Sequence, residues 1–145
     1  MNHPDSKYPP AVDPEKVGTY PARAGAGGGF VWDEVLEYRV WCHPADGEDD
    51  FYYAYATCEE AKAAADSLRN GSEEIEQVED PLALILQREH INEVRPGEYE
   101  HVTDERIAEW PPEFLTRPRR TENTIPDFLA PDAPANRLDI IRGTA

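Results

Sequence analysis

VLEYRVWCH, Val35 to His43, alternates as a β-strand does: Leu36, Tyr38, Val40 and Cys42 fall on one face, and Glu37, Arg39, Trp41 and His43 on the other. The turn-forming PADGEDD then leads into FYYAYA, Phe51 to Ala56, an aromatic-rich strand that can pair with the first as a hairpin across a wide acidic loop. Trp32, Tyr38, Trp41, Phe51, Tyr52, Tyr53 and Tyr55 fall within 24 positions, more than one strand face can bury. Part of this set should line a groove or an exposed patch, and Trp41, Tyr53 and Tyr55 are the candidate binding residues.

Beyond the hairpin the pattern changes to a helical period. Thr57 with Glu60 three residues on forms a capping box, which satisfies orphan amides at a helix start. Ala61, Ala64, Ala65 and Leu68 recur at helical spacing; Arg69 suits the C-terminal dipole, and Gly71 suits a left-handed cap. The spacing predicts a helix over about 57–70, and its small apolar residues imply close packing on a sheet. After an acidic loop, PLALILQRE (Pro81 to Glu89) is apolar on both faces, as a central strand is. RPGE, Arg95 to Glu98, reads as a turn and YEHV as a further strand. In DERIAEWPPEFL, Ile107 and Trp110 fit a helical turn, whereas Trp110, Pro112 and Phe114 fit one face of an edge strand; the paired prolines favour the strand. The expected fold class is α+β: a small antiparallel or mixed sheet of four to six strands with one main helix packed on it.

A length of 145 residues suits one domain. Prolines 4, 9, 10, 14 and 21 make residues 1–29 an extended Pro/Gly-rich arm, and residues 30–115 form an acidic α+β domain. Residues 116–145 form a Pro-rich, semi-ordered tail, in which TIPDFL and NRLDIIRG carry apolar anchors that can dock on the core. No stretch approaches the ~18 consecutive apolar residues of a membrane helix, and the first ten residues have no apolar stretch fit for a signal peptide, so a soluble, cytoplasmic protein is expected. Cys42 and Cys58 are too few for a disulfide framework and are expected to be free thiols.

The net charge is −16, and it is unevenly placed. Residues 31–115 hold six basic and 23 acidic side chains, whereas the flanking segments are nearly balanced. Such a surface repels phosphate backbones, which argues against nucleic acid as a partner and admits a basic protein partner.

ARAGAGGGFVW, Ala22 to Trp32, raises the question of a phosphate cradle. A cradle needs a glycine-rich turn between a strand and a helix, so that amides and the helix N-terminus converge on the anion. This run instead follows a proline-rich arm and precedes a strand, and no Lys-Ser/Thr completes a P-loop; it reads as a flexible linker.

VWDEVLEYRVWCHP, the EEA helix start, LALILQRE, ERIAEW and PDFL together resemble a family of short bacterial proteins commonly labelled GCN5-like N-acetyltransferases, over nearly all of residues 31–129. The resemblance implies acetyl-CoA as donor and an amine as acceptor. Acetyltransferases of that class hold the pyrophosphate with Gln/Arg-x-x-Gly-x-Gly/Ala between a strand and a helix. Arg23 to Gly27 places Ala26 where the first glycine belongs, and Arg69-Asn70-Gly71-Ser72 departs from the pattern too, so no residue is assigned to the cofactor.

A second likeness starts from GEYEHV. Glu98 and Glu100, two apart on a strand, point to one side; with Arg39 and the Tyr52 to Thr57 segment they resemble, in order and residue type, the arrangement of ADP-ribosyltransferases. That resemblance implies NAD as cofactor, and Glu100, Glu98 and Arg39 are the candidate catalytic residues. His43, Cys58, His90 and His101 form no ligand pair at zinc spacing, so no metal is signalled. The sequence thus admits an acetyltransferase-like protein by resemblance, a non-catalytic acidic protein-interaction module, or an ADP-ribosyltransferase-like NAD-using enzyme.

Overall fold

A computed structural model of the chain describes residues 8–22, 25–26, 30–71, 74–116 and 119–142. The main sheet has six strands: β1 (Gly25–Ala26), β2 (Glu34–Pro44), β3 (Phe51–Tyr55), β4 (Ile75–Val78), β5 (Leu82–Gln87) and β8 (Arg106–Trp110). Their order is β1-β8-β5-β2-β3, with β4 also on β2. Two further strands, β6 (His90–Arg95) and β7 (Glu98–Val102), form a separate ribbon. Every strand pair is antiparallel except β1 with β8, which is parallel, so the sheet is mixed. Helix α1 spans Cys58–Gly71, and two short helices, α2 (Thr124–Leu129) and α3 (Arg137–Arg142), close the chain. This is a small α+β fold.

The central strand β2 is flanked by β3 on one edge and by β5 and then β4 on the other; Arg39 stands between Ala54 and Leu82, and Cys42 between Phe51 and Val78. Alternation along β2 holds from Tyr38 to Cys42. Tyr38, Val40 and Cys42 join Val35, Ala83, Ile85, Ala108 and Trp110 in the main core beneath α1, whose Ala61 and Ala65 are fully buried there. Residues without bulk let the helix backbone approach the sheet closely, as the alanine spacing anticipates. The capping box forms, with the Glu60 amide donating to Thr57 Oγ1 at 3.2 Å and the Thr57 hydroxyl donating to the Glu60 carboxylate at 2.9 Å.

Four expectations need correction. Leu36 does not share the face of Tyr38: a β-bulge between Val35 and Glu37 sets two residues of β2 against one of β5, so Val35 enters the main core instead. Gly71 is the last helical residue and lacks the left-handed backbone of a cap; Arg69 instead reaches past the helix end and donates to the Val78 carbonyl at 2.9 Å. Trp110 ends its strand, and Pro112–Leu115 turn into a 3-10 helix, because two adjacent prolines withdraw the donors that a strand needs. The glycine run is not wholly a linker, since Gly25 and Ala26 pair with Ala108 and Glu109; Arg23, Ala24 and Gly27 to Gly29 lie outside the described residues.

The described residues on either side of the sheet pack against this body. Ala11 donates its amide to the Ala56 carbonyl at 2.7 Å and Val12 to that of Val35 at 2.8 Å, laying residues 8–22 along the sheet. At the other end, Ile125, Phe128 and Ile141 meet Phe30, Val31 and Ile91 in a second apolar cluster beside the ribbon. Among the described residues no helix is long and apolar enough to cross a membrane.

Candidate functional site

The face of the main sheet opposite α1 carries charge, and that charge is enclosed. Arg39 and Glu37 are both fully buried there, with Arg39 Nε donating to the Glu37 carboxylate at 2.6 Å. The remaining donors of the guanidinium reach the Glu109 carboxylate at 3.2 Å, the Ala22 carbonyl at 2.9 Å and the Pro21 carbonyl at 2.5 Å. Its plane lies 4.4 Å from the centre of the Tyr52 ring. Glu109 also accepts from Trp41 Nε1 at 2.7 Å, and the second Glu37 oxygen accepts the Gly18 amide at 2.8 Å. A charge withdrawn from water is tolerated only when paired and hydrogen-bonded; here the missing partners are supplied by the backbone of residues 18–22. The network therefore fastens the N-terminal arm to the sheet.

Fastening is repeated along the arm. The Tyr38 hydroxyl donates to the Pro9 carbonyl, and the Tyr52 hydroxyl to that of Tyr20 at 3.2 Å. Burial raises the Tyr38 pKa well above its ordinary value, so this donor keeps its proton throughout the range in which proteins fold.

Where the arm leaves the sheet a hollow of about 510 Å³ opens. Its floor is Leu36, Leu86 and Ile107, displaced to this face by the bulge and by strand alternation. Among the described residues its lining holds three carboxylates, from Asp13, Glu34 and Glu105, and one ammonium, from Lys16. Glu34 shares part of its charge with Arg88, 3.2 Å away, while Glu105 is exposed. Val12 and Tyr20 complete the described lining, and the Tyr20 pKa is raised by burial and then by the negative charges of Asp13, Glu37 and Glu34. The hollow thus pairs an apolar floor with a negative local field.

The residues singled out in the sequence are dispersed. Arg39 lies in the buried network, whereas Glu98 and Glu100 stand exposed on the separate ribbon, where Glu100 accepts from Asn92 at 3.1 Å and Glu98 faces Arg95 at 3.7 Å. Trp41 packs against Tyr52 on the arm side, with ring centres 4.9 Å apart and planes tilted by 49°. Tyr53 and Tyr55 project from the opposite face of β3: Tyr55 packs on the main core, and Tyr53, 45 % exposed, meets Phe51 edge-on. The three aromatic candidates do not share one platform.

No protein-family model, curated protein or solved structure matches this chain.

Among the described residues no three His, Cys, Asp or Glu side chains are grouped as metal ligands would be. His43 instead lies between two carboxylates, with Nδ1 2.9 Å from Asp50 and Nε2 2.6 Å from Glu79. Both ring nitrogens then act as donors, which raises the His43 pKa, chiefly through Glu79 and next through Asp50. Both cysteines are free and buried; burial raises the Cys42 pKa and pushes Cys58 up to about 11.

Asp13, Lys16, Tyr20, Glu34 and Glu105 carried no chemical motif. The single local signal was Asp13 before Pro14, a helix-start pattern, and it is realised: Asp13 accepts the Glu15 amide at 3.2 Å ahead of a 3-10 turn. That turn carries Lys16, and Tyr20 follows it; both line the hollow.

Proposed function

We propose that this protein is a non-catalytic binding module that receives a basic partner protein on its acidic face, seating a lysine or arginine side chain in the hollow beneath the N-terminal arm. The observation that carries the reading is the composition of that hollow: apolar Val12, Leu36, Leu86 and Ile107 stand in its lining beside the carboxylates of Asp13, Glu34 and Glu105. A long basic side chain has the same division, an aliphatic stem and a cationic end, and buries the one while presenting the other. The chain's net charge of −16 supports the reading, because it steers a basic partner towards the surface at long range.

The enclosed network favours binding over catalysis. Arg39, the sequence's best candidate for a catalytic cation, has its guanidinium committed to two carboxylates, two carbonyls and an aromatic ring. Calorimetry of the full chain against a blocked Lys/Arg-rich hexapeptide, acetyl-CoA and NAD tests the proposal. The module reading expects saturable binding of the peptide that weakens steeply as salt is raised, and none of either cofactor. Binding of acetyl-CoA or NAD without peptide binding would return the protein to the enzyme classes that the resemblances imply.

A further inference from the structure

A second recess lies at the other end of the molecule, and its chemistry is inverted. Helices α2 and α3 enclose a hollow of about 410 Å³ whose surface is largely apolar, supplied by Phe128, Pro134, Ile140 and Ile141. Among the described residues, two arginines, Arg119 and Arg137, line it with one carboxylate, Asp127. In a chain of net charge −16, the described lining of this recess holds more cations than carboxylates.

One of the two cations is already held in place. Arg137 Nη1 donates to the Phe128 carbonyl at 2.8 Å, and its guanidinium rests over the rings of Tyr99 and Phe128 at 5.0 and 4.8 Å. A guanidinium has five N–H donors in a rigid plane, so one bond to a carbonyl leaves a fork of the kind that a carboxylate matches. Its ordering cost has been met by stacking on the aromatic pair. Arg119 is exposed at the same hollow, while Ile140, 48 % exposed, keeps apolar surface open to solvent.

We propose that the recess between α2 and α3 binds a small anionic amphiphile, a medium-chain carboxylate whose tail lies on Phe128, Ile140 and Ile141 and whose head meets Arg137 and Arg119. The volume falls in the range of small-molecule sites, and an apolar wall with a few convergent polar groups is their usual make-up. The site is independent of the acidic hollow, because the two share no residue.

Calorimetric titration of the full chain with decanoate below its micellar concentration tests the assignment, with decanol and decylamine as matched probes. Saturable one-to-one binding of decanoate is expected, at least tenfold tighter than decanol, with decylamine weaker still. Arg119→Glu should weaken decanoate at least tenfold, and Ile140→Asp, at an exposed position, should abolish binding while circular dichroism stays unchanged. Absence of saturable binding, equal affinity for decylamine, or full affinity in both variants would overturn the proposal. So would capture of the protein by phosphatidylglycerol vesicles without binding of free decanoate, which would make the recess a membrane contact.

Discussion

Arg39 and Glu37, two residues apart on β2, form an ion pair of 2.6 Å from which solvent is wholly excluded. Residues so spaced on a regular strand lie on one face, and that face is closed by the arm rather than by a second sheet or helix. The pair is satisfied only while the arm is in place, so the arm and the charges hold one another. Removing one charge strands the other in a medium that cannot solvate it. Arg39→Ala is therefore expected to lower stability by roughly 3–5 kcal/mol, a large part of the ~5–15 kcal/mol that a domain possesses, as read by urea unfolding.

The arm's own hold can be weakened without touching a charge. Tyr38→Phe deletes the hydroxyl that donates to the Pro9 carbonyl and should cost about 0.5–1.5 kcal/mol. Its sharper signature is local. Lys16 lies in the same arm as Pro9, so limited trypsin digestion after Lys16 should be several-fold faster in the variant. Equal cleavage rates would show that residues 8–22 hold without Tyr38.

Histidine titrations should diverge in a stated order. Followed by NMR, His43 should titrate above the ordinary 6.5, because its two carboxylates favour the imidazolium. His90 should titrate below 6.5, because burial and then the Arg106 charge disfavour protonation. The consequences for stability have opposite signs. The His43 contribution is complete below pH 6.5 and fades as pH rises through its folded value, whereas that of His90 is present above 6.5 and fades as pH falls. His43→Asn should accordingly lower stability below pH 6.5, where that contribution is complete, and leave a flatter curve as pH rises through the folded His43 value.

Thiol chemistry offers a further check. Cys58 sits at the start of α1 with about 1 % of its surface exposed and a pKa pushed up to about 11, and Cys42 is fully buried in β2. Neither should react with a disulfide exchange reagent at pH 8 in the native state, and both should react once the chain is unfolded in urea. Fast reaction of either thiol in the native protein would contradict the core described above.

How much of this was legible beforehand follows from the range of the forces involved. The hairpin of β2 and β3, the capped helix and the central strand β5 rest on periodicity and on capping within a few residues, and each can be read in the sequence. The bulge after Val35 leaves no local trace, because it is set by the pairing partner Ile85 rather than by β2 itself. Strands β4 and β6 were hidden in polar stretches: Glu76 and Gln77 are exposed, as are Asn92 and Glu93, so neither strand displays an apolar face. YEHV reads as a strand, but alternation cannot say which sheet a strand joins. That is why Glu98 and Glu100 were grouped with Arg39 and are found on the other sheet. The acidic hollow was invisible for the same reason: Asp13 and Glu105 are 92 positions apart and meet only through the docking of the arm.

The most direct trial of the binding-module account is a charge reversal at the rim of the acidic hollow, Glu105→Lys, measured calorimetrically against the blocked Lys/Arg-rich hexapeptide at low and at physiological salt. Glu105 is exposed in the loop before β8, so the fold should tolerate the change. The account predicts that affinity falls at least tenfold at low salt and that the dependence on salt becomes shallower. An affinity equal to that of the unaltered chain at both salt concentrations would contradict it.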